Sequence, residues 1–267
     1  PRLEDGLAIP TIEIRMPTFT TSLPTRRIRF DTENFFQKSL RARVDRYFRM
    51  TRRSPRDCPS MYLKTAIVMG WFAASYVLLV FFASAWWTAL PLAISLGLAT
   101  AAIGFNVQHD GGHRAYSRHG WVNRLMAYTI EMLGGSSYIW ACKHNTLHHS
   151  FTNLAGHDDD IDLGILGRLS PDHPRYRMHR FQHLYLWVLY GFLASKWHLY
   201  DDFNHLARGR IGEHRFVRPR GWDLAVFIGG KVCFFFLALV LPLMLHPVGA
   251  VLLYYAIASA VVGVTLS

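Results

Sequence analysis

The chain has 267 residues, which is a size compatible with one large domain. Hydrophobic residues make up 51% and aromatic residues 14% of it, and they concentrate in long runs that favour a membrane protein over a soluble one. The formal charge is +11, but the basic residues lie beside the apolar runs, which indicates anionic lipid or an acidic partner and not nucleic acid. Cys58, Cys142 and Cys233 form no close pair, which argues against a disulfide framework and a cysteine metal site and fits a reducing, cytosol-facing compartment.

The segment before the first apolar run divides into two parts. Residues 1–24 contain several Pro and Thr residues and lack helical periodicity, so we expect an extended or disordered arm. Residues 25–64 are strongly basic, with apolar residues recurring every three or four positions. This pattern predicts an amphipathic helix that lies on the cytosolic membrane surface.

The first transmembrane hairpin is predicted from two apolar runs. Residues 65–84 are uncharged and about 20 residues long, which is enough to cross roughly 30 Å of hydrocarbon. Trp86, Trp87 and Pro91 are predicted to form an interfacial turn, and residues 92–107 to form the second span.

A second hairpin is predicted near the end of the sequence, from residues 224–245 and from residue 248 onward. The apolar stretches at 121–140 and 181–197 contain charges or are short, and we expect them to be interfacial or re-entrant. Residues 65–267 are therefore predicted to form one all-α integral membrane domain with about four spans. The excess of Lys and Arg in the N-terminal segment and between the hairpins predicts that the N-terminus and residues 108–221 face the cytosol.

Histidines concentrate directly after the second apolar run. His109 and His113 lie in the sequence HDGGH, the first histidine motif, and a continuing helix would place both imidazoles on one face. His144, His148 and His149 lie in HNTLHH, the second histidine motif. His144 and His148 share one helical face, and His149 is expected about 100° round the helix, where it could reach a second metal.

Two such clusters at one membrane face indicate a metal site, although a single pair would be weak evidence. Imidazole suits iron, zinc and copper, and the sequence contains none of the Glu-x-x-His pairs of carboxylate-rich di-iron bundles. Two metals held by histidine alone would need about eight ligands, so further ligands are expected elsewhere.

Both motifs resemble the first and second histidine boxes of the membrane fatty-acid desaturase superfamily. The stretch SFTNLAGHDDDID at residues 150–162 is similar to the sequence that follows the second box in acyl-lipid, acyl-CoA and front-end desaturases. The resemblance begins at about Arg27 and covers nearly all of the remaining chain. It implies a cytosol-facing centre of two iron ions with five of their ligands in this chain: His109, His113, His144, His148 and His149.

The resemblance also implies a third histidine-rich box after the fourth span, and this sequence ends before that point. We interpret the difference as truncation, so the fragment is expected to be inactive without the missing box. The implied reaction is O2-dependent introduction of a double bond into a fatty-acyl chain held on a lipid or thioester. No cytochrome b5-like motif precedes the domain, so electrons are expected from a separate ferredoxin or cytochrome b5-like protein.

Other functions stay open at this point. A membrane di-iron hydroxylase could act on a lipid, carotenoid or alkane, because the same oxidant can insert oxygen. A metal transporter or non-enzymatic metal-binding protein is disfavoured, because transporters usually place ionisable ligands within their spans. A fragment without bound metal is a further possibility.

Several polar residues near the motifs could orient ligand imidazoles. Asp110, Asp158 and Asp160 could accept hydrogen bonds from them, although helix capping or a solvated loop explains these residues equally well. Asn145 could orient a ligand or contact substrate. His157 could assist as well, but an ordinary hydrogen-bonded loop histidine is the more frequent case.

Three other ionisable residues are assigned to the membrane interface. His179 and His183 lie among arginines and are expected on a solvated interfacial face. Lys231 falls within the third predicted span, about two turns from Trp222, so we expect its side chain to extend to the interface.

Overall fold

The computed structural model describes residues 34–267. The predicted arm at residues 1–24, and residues 25–33 of the basic segment, lie outside the described residues. Within the described range the chain is predominantly helical, and four helices are long and apolar enough to cross a membrane. The predicted fold class, all-α with two transmembrane hairpins, is confirmed.

The basic segment contains one helix, Phe35–Thr51, before the first span. Asn34 caps its start, because the Asn34 side chain accepts a hydrogen bond from the Gln37 amide at 3.0 Å. None of the 17 residues of this described helix is buried, and its apolar side chains, such as Leu40, are exposed. The helix covers only part of the predicted segment 25–64, and its place on a membrane surface stays a prediction.

Span one is Pro59–Phe82, and span two is Trp86–Gly112. Pro59 occupies the first helical turn, where proline loses no backbone hydrogen bond. The interfacial turn predicted from Trp86 to Pro91 is wrong, because the helix already begins at Trp86 and Pro91 lies inside it. Membrane helices tolerate an internal proline, since neighbouring groups satisfy the freed carbonyl.

Span three is Trp222–Leu245 and span four is Val248–Leu266, which confirms the second predicted hairpin. Span four packs closely against span two, because a Cβ atom on Gly97 would lie 2.7 Å from the Ala258 carbonyl oxygen. The two hairpins are also joined by polar contacts. The Tyr76 hydroxyl donates to the Leu237 carbonyl at 2.7 Å, and the His246 ring contacts the Val80 carbonyl at 2.7 Å.

The region between the hairpins is built from short helices and turns. Neither of its apolar stretches forms a helix that qualifies as a membrane span, as predicted. The elements in chain order are the helices Gly120–Ala127, Thr129–Met132 and Ser137–Trp140, the π-helix Ala141–His148, the helix His149–Phe151, the 3₁₀ turns Asp159–Ile161, Gly164–Leu166 and Arg177–Phe181, the helices Gln182–Gly191 and Leu193–Lys196, the π-helix Trp197–Asp201, the helix Asp202–Arg208, and a hairpin of the strands Arg210–Ile211 and His214–Arg215.

Two hydrophobic clusters hold this region against the spans. One joins Val68 of span one to Ile103 and Val107, which lie six and two residues before His109. The other packs Cys142 and Leu147, in and beside the second histidine motif, against Ile211, Phe216 and Phe227. Each cluster contains residues next to or within a histidine motif, so burial of this apolar surface helps to hold the backbone of both motifs in place.

The prediction that the Lys231 side chain extends to the membrane interface is wrong. Lys231 is 4% exposed, and its Nζ donates hydrogen bonds to the Asp202 carboxylate and the Gly134 carbonyl, each at 2.6 Å. The Phe203 and Phe227 rings lie 5.3 and 5.6 Å from the ammonium group. A buried charge is tolerated when it is paired in this way, so internal pairing replaces exposure to the interface.

Candidate metal centre

The first histidine motif closes span two. The helix continues to Gly112, and His113 is the residue that caps it. The ring centres of His109 and His113 are 4.4 Å apart, so both imidazoles lie on one face as the four-residue spacing predicts.

The two glycines of this motif allow close packing around the imidazoles. A Cβ atom on Gly111 would lie 2.7 Å from the backbone nitrogen of Ala127, so the helix Gly120–Ala127 can approach only because that atom is absent. A Cβ atom on Gly112 would overlap the indole ring of Trp140. The sequence HDGGH therefore combines two ligand-type side chains with the small residues that their surroundings require.

The second histidine motif lies on a π-helix. The segment Ala141–His148 is π-helical, and the His149 amide is hydrogen-bonded to the His144 carbonyl, five residues earlier. A π-helix returns to the same face later than an α-helix does. His149 therefore lies beside His144, with ring centres 4.8 Å apart, and not about 100° round the helix as expected for α-helical geometry.

The five imidazoles form one cluster. His144 lies 5.3 Å from both His109 and His113, and His149 lies 4.7 Å from His113, all between ring centres. His148 stacks on His144 at 5.1 Å. The structure therefore brings together all five histidines that the sequence predicts as ligands.

Two overlapping groups have the geometry of a metal site. One ligand-type atom from each of His109, His113 and His144 lies within 4.8 Å of the others, and the same holds for His144, His148 and Asp160. The Nε2 atoms of His113 and His144 are buried and have no hydrogen-bond partner among the described residues. Buried nitrogens of this kind fit a cation, because a bound metal would satisfy them.

The electrostatics of the cluster favour neutral imidazoles. Burial and the neighbouring imidazoles lower the pKa of His113 to about 4. The pKa of His149 is also lowered, first by burial and then by His144 and His148. Only neutral imidazole has a free lone pair for a metal, so both rings are in the ligand form at neutral pH.

Asp158 contacts one member of the cluster. Its carboxylate lies 3.0 and 3.1 Å from the Nδ1 atom of His148, and it also accepts hydrogen bonds from the amides of Asn153 and Asp160. A carboxylate on Nδ1 fixes the tautomer in which Nε2 carries the lone pair. The Asp158 side chain is fully buried, and its role in orienting a metal ligand stays a prediction.

Asp160 lies between two imidazoles and a lysine. Its Oδ2 is 3.7 Å from Nδ1 of His144 and 3.5 Å from Nδ1 of His148, while Lys143 is 3.2 Å from its Oδ1. Burial alone would raise the pKa of Asp160, but the nearby His144 imidazole and the Lys143 charge outweigh it and lower the pKa to about 2. Asp160 is therefore an anion that can either orient the imidazoles or contribute a ligand oxygen.

The other candidates occupy different positions. Asn145 donates from Nδ2 to the Gly112 carbonyl at 3.0 Å and so joins the two histidine motifs. Asp110 lies 4.0 Å from Lys64, a surface pair and not a contact with an imidazole. His157 lies 3.2 Å from His214, measured between Nδ1 and Nε2, outside the five-histidine cluster.

His179 and His183 differ from each other. His183 is exposed, as expected, whereas His179 is buried. The His179 ring contacts the Ile165 carbonyl at 2.9 Å and accepts from the Tyr176 amide at 3.3 Å, which ties two loops together. The prediction that His179 lies on a solvated interfacial face is therefore wrong.

Trp140 and Lys143 belong to the site and were missed by the sequence reasoning. The Trp140 ring stacks on His144 at 4.6 Å and 22°, and it also contacts His109 at 6.0 Å. Lys143 pairs with Asp159 at 3.0 Å in addition to Asp160. Lys143 directly precedes the second histidine motif and Trp140 lies four residues before it, and a lysine upstream of an acidic run was the available signal.

Four apolar helices and a compact cluster of five imidazoles define an integral membrane protein with a candidate metal centre. Residues 84–267 match the family model described as fatty acid desaturase. The chain belongs to this family, and the resemblance drawn from the two histidine motifs is confirmed.

Several relatives match most of this chain. It is 36% identical to an sn-1 linoleoyl-lipid 6-desaturase of Arthrospira platensis over 82% of this chain and 60% of that protein. The identity to the sn-1 linoleoyl-lipid 6-desaturase of Synechocystis sp. is also 36%, over 84% and 62%. An acyl-lipid (8-3)-desaturase of Physcomitrium patens is 33% identical over 87% and 50%. The chain thus spans less than two thirds of these relatives, and no solved structure matches it.

Proposed function

We propose that this chain carries the histidine centre of an O2-dependent fatty-acyl desaturase. The observation that carries the proposal is the cluster in which His109, His113 and His144 present ligand atoms within 4.8 Å of one another at the end of span two. Family membership and the names of the relatives support a fatty-acyl substrate linked to a lipid.

The residues present fit iron as the metal, and we propose two ions. His109, His113, His144, His148 and His149 would hold them, with further ligands from outside these two motifs. The chemistry supplied by bound iron is reduction of O2 to two water molecules with two external electrons, two protons and the two hydrogens taken from adjacent methylenes.

The protein groups around the cluster have separate tasks. Asp158 holds a proton on Nδ1 of His148 and leaves Nε2 free. Trp140 covers the His144 ring and thereby limits access of water to that side of the cluster. Asn145 keeps the two histidine motifs in register through the Gly112 carbonyl.

The remaining partners follow from this reaction. Dioxygen and a separate electron donor, a ferredoxin or a cytochrome b5-like protein, would supply the oxidant and electrons. The excess of basic residues supports placement of the histidine centre and the N-terminal helix at the cytosolic face, in contact with membrane lipids.

Product analysis tests the proposal. The full-length protein, including the expected third histidine box, is expressed in a membrane host with iron and a reductant system, and host lipids are analysed for new double bonds with and without O2. We expect an O2-dependent double bond that is lost in His144→Ala and kept in His183→Ala, which changes an exposed histidine outside the cluster. Hydroxylated lipid would instead show a hydroxylase, and bound zinc without an O2-dependent product would exclude the oxidative function.

A further inference from the structure

Glu131 is a buried acid that lies between the two histidine motifs. It belongs to the short helix Thr129–Met132 and is 7% exposed. Its Oε1 accepts two hydrogen bonds from Ser137, one from the backbone amide and one from the hydroxyl, both at 2.7 Å. None of the metal-site roles described above uses this residue.

Ser137 is the first residue of the helical segment that carries the second histidine motif. The helix Ser137–Trp140 continues directly into Ala141–His148, so the position of its start affects three of the five imidazoles. The first amides of a helix lack partners within the helix, and a carboxyl oxygen there satisfies one of them. Glu131 therefore fixes the start of this helix from outside it.

The other side of Glu131 rests on span three. A Cβ atom on Gly230 would collide with Oε2 of Glu131 and would lie 2.8 Å from its Cβ. Oε2 itself is buried and has no hydrogen-bond partner among the described residues. The next residue of span three, Lys231, donates to the Gly134 carbonyl, so span three contacts the segment before Ser137 at two points.

We propose that Glu131 is a positioning residue for the metal centre. Wedged against Gly230, its carboxyl group holds Ser137 and thereby places His144, His148 and His149 relative to His109 and His113 at the end of span two. This inference rests on the proposed metal centre, and it adds a residue that touches none of the five imidazoles in the contacts described.

The role requires a hydrogen-bond acceptor and not a charge. Burial raises the pKa of Glu131 to about 7, despite the two hydrogen bonds from Ser137 that act in the opposite direction. A protonated carboxyl group keeps a carbonyl oxygen that accepts from Ser137. Glutamine offers the same acceptor at the same distance, so Glu131→Gln is the conservative variant.

Three variants each remove a different contact of this arrangement. Glu131→Ala removes the acceptor, and Gly230→Ala pushes the carboxyl group away from span three. Ser137→Pro removes both donors, yet proline suits a first helical position and the preceding Ser136 is extended at φ −120° and ψ 123°. Gly229→Ala is the matched control, because a Cβ atom there meets nothing within 4 Å.

The test is cobalt(II) titration of the purified protein in lipid nanodiscs, followed by the absorption of the bound ion. Wild type, Glu131→Gln and Gly229→Ala are expected to bind alike. Glu131→Ala, Ser137→Pro and Gly230→Ala are expected to bind roughly 10- to 100-fold more weakly, as for other residues that support metal ligands. Hydrogen exchange of the metal-free protein should rise in residues 137–151 of these three variants, while the four spans keep wild-type protection.

Each outcome has a defined meaning. Wild-type cobalt affinity in the three disruptive variants would overturn the inference and leave the proposed function standing. Equal losses in Glu131→Gln and Glu131→Ala would also overturn it, because an acceptor would then not suffice. Absence of cobalt binding in the wild type would overturn the metal centre itself. If Glu131→Ala does not fold, Ser137→Pro and Gly230→Ala decide the question.

Discussion

At the scale of single residues, the carboxylates that follow the second histidine motif differ in whether they contact its imidazoles. Asp158 contacts Nδ1 of His148 from a fully buried position, whereas Asp162 lies exposed and accepts from the Gly164 amide. The acidic run is therefore divided into residues that contact an imidazole and residues that shape a loop. Sequence alone suggested the first role without distinguishing among the aspartates, since their distance from the imidazoles depends on the turn at 153–157.

Replacement of Asp158 should weaken the metal centre. In Asp158→Asn the amide cannot fix the His148 tautomer as a carboxylate does, and we expect metal affinity to fall roughly 10- to 100-fold. Titration with cobalt(II) measures the change. Asp162→Asn is the control and should bind as wild type. Equal affinity in both variants would contradict the orienting role of Asp158.

Lys231 shows where residue-level reasoning from the sequence fails. Its distance from Trp222 suggested that it could reach the interface, but the fold brings Asp202 to within 2.6 Å of its ammonium group. The two residues are 29 positions apart, and no local pattern reports such a contact. The lysine is therefore part of the buried packing between span three and the helix Asp202–Arg208.

Lys231→Met should destabilise the protein, because Asp202 is left buried without its partner. We expect a loss of about 3–5 kcal/mol in the free energy of unfolding. Chemical denaturation in detergent micelles measures it. The double variant Lys231→Met with Asp202→Leu should recover most of the loss, and a double variant as unstable as the single one would contradict the buried pair.

At the scale of elements, sequence patterns predicted where the helices lie but did not predict which of them depart from α-helical geometry. Apolar length predicted all four spans, and the spacing of His109 and His113 predicted one helical face. The π-helix Ala141–His148 was not predicted, because a single extra residue per turn leaves no clear signal in a short polar sequence. It brings His149 beside His144, which a regular α-helix would not do.

Close packing of spans two and four gives a prediction for these elements. Gly97→Ala should destabilise the protein by about 1–3 kcal/mol, since the new methyl group would meet the Ala258 carbonyl and force the spans apart. Gly70→Ala in span one is the matched control, because its Cβ meets nothing within 4 Å. Thermal unfolding compares the two. Equal melting temperatures would contradict the close approach of spans two and four.

At the scale of the whole molecule, the five histidines meet where the end of span two contacts the region between the hairpins. The family and the four spans followed from the sequence, because apolar length and the two motifs are local patterns. The contacts of Glu131, Trp140 and His157 did not, because they join segments that are distant in the chain. The cytosolic orientation of the histidine face is a prediction from the distribution of Lys and Arg.

Cysteine labelling in intact cells tests this orientation. In a variant without native cysteines, Ser84→Cys places a thiol in the hairpin turn between spans one and two, and Arg53→Cys places one before span one. Both positions are exposed. A membrane-impermeant maleimide should label residue 84 directly and residue 53 only after permeabilisation, and the reverse pattern would show the opposite orientation.

Metal analysis of the purified protein tests whether the five-histidine cluster binds iron. Iron is measured by mass spectrometry in the protein purified from its membrane host, for the wild type, His144→Ala and His183→Ala. We predict that the wild type and His183→Ala retain iron and that His144→Ala loses it. Iron retained equally in all three proteins, or zinc in place of iron in the wild type, would contradict iron binding by the five-histidine cluster.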